Sequence, residues 1–375
     1  MNFEEHAAKA KVLAPASIAV PRGMLCRSSE EARTAFDAIG PCVVKAQVPT
    51  GKRGKAGGIR KAETAPEAAA AAKAILGMSI DGYVVEKVLV EERAEIASEF
   101  YAAVLTDFAA RRPLILFSTE GGMDIEEIAA ARPDAIRRHS LDIDQDFDAA
   151  AARQTLAGLA LGSAEAKIAG VLATLYNIYR ERDAELVEIN PLALLRDGRV
   201  VALDCKFTLD DSAIFRQSEL AASGAQEKLS ALERRGAAAG LKFIELGGNV
   251  GVLANGAGLT MTTMDVIAHF GGKPANFLEI GGEAYTKAEM GLGLVLAAGN
   301  VKSLVINFCG AFARTDVMAD GVVKAWETLK PTIPVFFSIH GTGEDKAVKL
   351  VRDRLDIDPY DFMEDAVEAA VEAAR

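Results

Sequence analysis

The sequence predicts a two-part protein, a region of mixed strands and helices followed by a regular α/β region. Three observations carry that expectation. Up to about residue 236, apolar strand-like runs are interrupted by separate helical stretches. Beyond RRGAAAGLKF, residues 234–243, strands alternate with helices at a spacing that implies a parallel sheet covered on both faces. The chain is 375 residues long, with half of them apolar and a quarter charged, which suffices for two or three domains with real cores.

The elements follow in order. Residues 3–14 read as a short amphipathic helix, with Phe3, Ala7, Ala10 and Leu13 on one face. Pro15 and Pro21 bracket an extended piece. Ser28 or Ser29 caps a helix through Ile39 that stops at Gly40. PCVVKAQV is a buried strand carrying Lys45, followed by the cationic glycine run TGKRGKAGGIRKA. An alanine-rich helix starts at Thr64 and reaches Leu76. GYVVEKVLVEE, ASEFYAAVLTD and PLILFSTEGG read as strands, and residues 124–131, 148–160 and 163–182 as helices. In the last of these, Ile168, Leu172, Leu175 and Ile178 form one stripe. A hairpin at 187–206 and a helix at 217–234 close the first part. In the second part, strands are expected at 250–254, 276–280, 303–308 and 333–339. Helices are expected at 259–270, 286–298, 317–329, 344–354 and 364–374. Four strand exits are glycine-rich, at 255–258, 281–283, 309–311 and 340–343, and ligands of such sheets sit at strand exits. Tight turns alone also use glycine.

Composition excludes several classes. The net charge of −11 argues against general nucleic-acid or anionic-membrane binding. Cys26, Cys42, Cys205 and Cys309 lack metal-ligand spacing, and three of them sit in apolar runs as expected buried fillers. A disulfide framework is not expected, and a reducing cytoplasm fits. The N-terminal stretch MNFEEHAAKAKVLA is not a secretory signal, and no 18-residue uncharged apolar run predicts a membrane span.

Chemistry concentrates in three stretches. In VEINPLALLRDGRVVALDCK, residues 187–206, a three-residue loop at Arg196-Asp197-Gly198 pairs Asn190 with Asp204 and Glu188 with Lys206. All four then share a face. Oxygen donors beside a cation suit Mg²⁺ carrying phosphates, and a solvated polar face fits the hairpin equally well. A two-residue loop would instead set Asn190 opposite Cys205. The run Gly51-Lys52-Arg53-Gly54-Lys55 offers flexible N–H groups and cations for a polyphosphate, or a plain basic turn. It is not a Walker loop. Lys45, flanked by apolar residues, needs a buried partner. Glu91 and Glu99 fit either a hinge reading a nucleoside and its phosphates or a charged edge strand.

VVKAQ, GKRGKAGG, LVEE, IASEFY, STEGG, LVEINPL, ALDCK, GNVGVLANGAGL, PANFLEIGG and FARTDVMADG occur in this order along nearly the whole chain. The combination resembles the β-subunit family of succinyl-CoA synthetase, the ADP-forming acyl-CoA synthetases. Malate–CoA ligase and the amino-terminal part of ATP-citrate lyase are related. The resemblance implies an ATP-grasp domain over residues 1–236 and a flavodoxin-like CoA-ligase domain over 237–375. It implies that Lys45, Arg53 and Gly54 meet nucleotide phosphates, that Glu91 reads base and sugar, and that Glu99 lies on the nucleotide side. Asn190 and Asp204 match Mg²⁺ ligands, and Glu188 matches the acidic residue that handles a phosphohistidine. Asn255, Gly310, Ala311 and Phe312 match the carboxylate-substrate loops. The family passes a phosphoryl group from ATP or GTP to a histidine, then to a carboxylate, and CoA displaces it. That histidine and most CoA contacts belong to a partner α subunit, in an αβ or α₂β₂ assembly. Here His6, His139, His269 and His340 all lie outside the phosphohistidine context.

The sequence departs from the family at several points. GGRGKAGG becomes GKRGKAGG, with Lys52 for a glycine, and the histidine just upstream is Pro49. GGGA becomes Gly281-Gly282-Glu283-Ala284. FGGIVRCD becomes Cys309-Gly310-Ala311-Phe312-Ala313-Arg314-Thr315-Asp316. R-x-x-GTN becomes Ser338-Ile339-His340-Gly341-Thr342-Gly343. A negative Glu283 beside a dianion would cost binding. These changes point to succinate or to another, substituted or bulkier, short acid. A stand-alone carboxylate–amine ligase and a non-enzymatic nucleotide-binding subunit are the competing expectations.

Overall fold

The computed structural model describes residues 1–225, 228–280 and 287–375. Two compact units result, Met1–Glu227 and Lys228–Arg375. Among the described residues no helix is long and apolar enough to cross a membrane.

The first unit contains two large antiparallel sheets and a two-stranded one. The smaller of the large pair has the order Gly23–Cys26, Val88–Glu92, Cys42–Ala46, Ile59–Ala62. Helices Ser29–Ile39 and Ala65–Ile75 cover it through a core that includes Ala32, Val44, Ala72 and Val90. Both helices start as the sequence predicts. Ser28 Oγ accepts from Glu31 N at 3.1 Å, and Thr64 Oγ1 accepts from Glu67 N at 3.4 Å. The larger sheet centres on two long strands, Ala184–Leu195 and Ile96–Asp107. Val200–Ala202 and Lys206–Leu209 pair with the first, and Arg112–Ser118 and Ile136–Ser140 extend from the second. Helix Glu165–Glu181 lays its predicted stripe of Ile168, Leu172, Leu175 and Ile178 into this sheet's core.

In the second unit, Val250–Ala254, Ser303–Gly310 and Val335–Gly341 form the parallel sheet. The expected helices are present over Ala257–His269, Ala288–Ala297, Thr315–Leu329, Glu344–Leu355 and Met363–Ala373. Val252, Leu253, Ile306, Phe308 and Phe337 are buried between them.

Several expectations are corrected. The N-terminal helix runs over Glu5–Ala8 and continues as a π-helical turn, Lys9–Leu13. The wider turn changes the buried face to Phe3, Ala8, Val12 and Leu13, leaving Ala10 exposed. GYVVEKVLVEE is two strands, because its halves pair with different partners. Tyr83–Val84 joins Ser79–Ile80, and Val88–Glu92 enters the four-stranded sheet. Ile136–Ser140 is a strand that its charged, weakly alternating sequence hid. The helix expected at 217–234 is interrupted, with Ser218–Ala221 separate from Ala231–Ala238. The later helix starts at its own capping box, Ser230 with Glu233. Asn276–Leu278 pairs antiparallel with Phe243–Glu245, and the flanking Pro274 and Glu279 make single parallel bridges to Val250 and Ala254.

Candidate functional site

A cavity of about 550 Å³ in the first unit is lined from both sheets. The hairpin supplies one wall. Its register is the one a three-residue loop dictates: Glu188 pairs with Lys206, and Leu194 with Val200. Gly198 has φ +84°, the left-handed conformation the loop needs, and its N–H donates to Leu195 O at 2.9 Å. The ladder is interrupted between Ala202 and Lys206, so Asn190 and Asp204 stand opposite without backbone pairing. Glu188, Asn190, Asp204 and Lys206 all line the cavity.

One wall of the cavity is a cluster of three cations and three carboxylates, of which Glu5, Lys45, Arg53, Glu91 and Asp204 line it and Lys9 does not. Lys45 Nζ donates to Glu5 Oε1 at 2.8 Å, Glu91 Oε2 at 2.5 Å and Leu203 O at 2.6 Å. Lys9 Nζ donates to Glu5 Oε1, Glu91 Oε1 and Leu203 O, each at 2.6 Å. Arg53 spans two carboxylates. Its Nη1 donates to Glu5 Oε2 at 2.7 Å and Ala46 O at 3.0 Å, and its Nη2 to Asp204 Oδ1 and Oδ2 at 2.7 and 2.6 Å. Glu5, Lys9, Lys45, Arg53 and Glu91 are each under 9 % exposed, and formal charges balance at three against three. Pairing is what makes such burial tolerable. Burial alone would raise the Glu5 carboxyl, but Lys45, Lys9 and Arg53 outweigh it and hold Glu5 well below the usual carboxylate range. Burial disfavours the Lys45 and Arg53 charges, yet their carboxylate neighbours raise both above ordinary values.

Glu91, which the family resemblance places on the segment reading base and sugar, lines the cavity, and its two oxygens accept from Lys9 and Lys45. Glu99 is not among the cavity-lining residues, and its carbonyl accepts from Gly121 N at 3.2 Å. Asn190 is turned to the 121–124 loop: its Oδ1 accepts from Gly122 N at 2.7 Å, and its Nδ2 donates to Met123 O at 2.9 Å. Glu188 accepts from the Tyr101 hydroxyl at 3.0 Å, and burial pushes its carboxyl up against that bond and Lys206. Gly54 lines the cavity, where an added Cβ would meet Ile59 Cδ1 at 3.8 Å. The glycine loop reaches across to the facing wall, where Lys55 pairs with Glu127 at 2.8 Å and Asp124 at 3.3 Å. The sequence missed Glu5, Lys9 and Tyr101. Only the i,i+4 spacing of Glu5 and Lys9 hinted at their pairing.

Asn190 and Asp204 offer an amide and a carboxylate oxygen, a donor set that fits Mg²⁺. Among the described residues no three His, Cys, Asp or Glu converge on a metal position. A cation here would draw its other ligands from phosphate and water.

In the second unit the predicted strand exits line up, with Cys309 beside His340 and Gly310 beside Gly341. Asn255 spans two strands: its Nδ2 donates to Cys309 O and its Oδ1 accepts from Cys309 N, both at 2.8 Å. Phe312, expected as a wall of the acid pocket, projects fully into solvent, and Ala311 beside it is exposed. His340 Nδ1 lies 3.7 Å from Glu344. Gly281, Gly282 and Glu283, and the exit they form, lie outside the described residues.

The ATP-grasp domain family matches residues 2–194, and the CoA-ligase family matches residues 253–368. The β subunit of a GDP-forming succinate–CoA ligase from Thermus thermophilus is 43% identical over 94% of this chain and 93% of its own length. The β subunit of an ADP-forming succinate–CoA ligase from Herpetosiphon aurantiacus is 40% identical over all of both chains. Among solved structures, ATP citrate lyase from Methanothrix soehngenii, in complex with citrate and coenzyme A, superposes with a TM-score of 0.77. It is 22% identical, with 99% of both chains covered, and shares the fold.

Proposed function

This chain belongs to the succinate–CoA ligase β-subunit family of nucleotide-dependent acid–thiol ligases, and we propose that it is the nucleotide-using subunit of such an enzyme. It works in the cytoplasm with an α subunit that carries a phosphohistidine and most CoA contacts, as αβ or α₂β₂. The observation that carries the reading is the pair of cavity-facing cations, Lys45 and Arg53, set against Asn190 and Asp204.

In the proposed reaction the terminal P–O bond of ATP or GTP breaks as a P–N bond forms to the partner's histidine. The phosphoryl group then moves to the carboxylate, giving an acyl phosphate. The CoA thiolate forms the C–S bond as phosphate leaves. This chain's residues supply positioning and charge. Lys45, Arg53 and the N–H groups around Gly54 hold the phosphates. Asn190 and Asp204 would hold Mg²⁺, which neutralises phosphate charge. Glu188, its carboxyl raised by burial, accepts from the phosphohistidine imidazole. Glu91 acts through Lys45, and Glu99 supports the Gly121-Gly122 turn on the nucleotide side. Asn255, Gly310, Ala311 and Phe312 form the acid site.

Succinate is the first acid to test, given the relatives' names. The exposed Phe312 and the extra methyl of Ala311 favour a second reading, a substituted or bulkier acid such as malate. The chain should be co-expressed with its α subunit and CoA-dependent ADP or GDP release read across succinate, malate, itaconate, citrate and monocarboxylates. Label from terminally labelled ATP should reach a histidine of the partner, and Asp204→Ala should abolish it. Nucleotide turnover that needs an amine rather than CoA would overturn the reading.

A further inference from the structure

Lys9 and Lys45 donate to the same three groups: Glu5 Oε1, the Glu91 carboxylate and the Leu203 carbonyl. An ammonium carries three N–H donors, so both lysines are saturated. Yet only Lys45 lines the cavity; Lys9 lies behind it. Lys45 therefore meets a ligand phosphate only by giving up a protein partner. A single lysine leaving Glu5 and Glu91 would strand buried carboxylates, which is costly. With Lys9 in place the same acceptors keep a cation.

We propose that Lys9 is a positioning residue, a standing counter-ion that holds Glu5, Glu91 and Leu203 O while Lys45 turns its ammonium to a nucleotide phosphate. The inference rests on the cavity being the nucleotide site. Arg53 has the matching arrangement within one side chain. Its Nη1 stays anchored on Glu5 and Ala46 O, and its Nη2 alone pairs with Asp204 and is free to exchange. Lys9 is a duplicate of the Lys45 contacts with no surface of its own on the cavity.

The test is calorimetric binding of ATP and GTP to the full chain with its α subunit, with thermal melts alongside. Lys9→Met removes the charge and keeps the bulk. Lys45 then becomes the sole counter-ion, and nucleotide Kd rises at least about tenfold while KM for acid and CoA holds. Adding Glu91→Gln to Lys9→Met removes the stranded charge and restores binding toward the wild-type value. A folded Lys9→Met with unchanged nucleotide Kd overturns the proposal, even if its melting temperature falls. Should Lys9→Met not fold, Glu91→Gln alone decides. It loosens the hold on Lys45 and tightens nucleotide binding, whereas weaker binding means that Glu91 itself contacts the nucleotide and Lys9 has no such role. Wild-type complex that binds neither nucleotide removes the site reading and this inference together. Wild-type binding with no response to Lys9→Met removes this inference alone.

Discussion

In the first unit, three cations and three carboxylates are packed at the wall of a cavity, and every charged atom of Lys9, Lys45 and Glu91 has a protein partner. In the second, the candidate residues sit at strand exits, where Asn255 ties two strands together and Phe312 stands in solvent. One site is assembled before any ligand arrives. The other presents loop tips whose contacts depend on what approaches them. Buried charge is expensive to rearrange, so the first kind of site tolerates little change. Exposed loops accept substitution at low cost, and the departures at Ala311 and Phe312 lie on one.

Removing Arg53 should give the largest effect. Arg53→Met leaves Glu5 short of a partner and frees Asp204, and loss of one member of a buried pair costs about 3–5 kcal/mol. Denaturant titration should show that loss, together with collapse of nucleotide-dependent histidine labelling. Retained stability and labelling would remove the contrast between the units.

A smaller and pH-dependent effect comes from Glu5. Its carboxyl lies well below the ordinary value in the folded chain, so its stabilisation is complete above the unfolded pKa of roughly 4.3. It is lost as pH falls through the folded value. Wild type should therefore lose stability steeply below about pH 5, while Glu5→Gln starts lower at neutral pH and declines less. Parallel curves for the two proteins would argue that Glu5 is not held by the cations around it.

Phe312→Ala should move stability least, within about 0.5 kcal/mol, because the ring has no protein contacts to lose. Its effect should appear in the ranking of acids by kcat/KM, with KM for nucleotide unchanged. A drop in melting temperature without a change in acid ranking would make Phe312 a structural residue and blur the comparison.

Much of the nucleotide side was legible in the sequence because it is written in short-range periodicity. Strand alternation and the Arg196-Asp197-Gly198 loop dictate that Glu188 faces Lys206, and the structure has that register. Ser28, Thr64 and Gly198 announce local geometry through their own chemistry. The break in the ladder at Asp204 left no such mark. Nor did the pairing of Glu91 with Lys9 and Lys45, since an acidic residue at a strand end looks the same whether it faces solvent or a buried ammonium.

The sequence by itself determined the two-part architecture, the family and most helices, and narrowed the hairpin to two registers, because each follows from patterns a few residues long. Only the tertiary structure decided that the N-terminal helix belongs to the site. Glu5 meets Lys45 across 40 residues, Lys9 meets Glu91 across 82, and Arg53 meets Asp204 across 151. On a helical wheel Glu5 and Lys9 read as a solvated face. Packing against two sheets strips them of water, and a desolvated charge must find a partner wherever the fold supplies one.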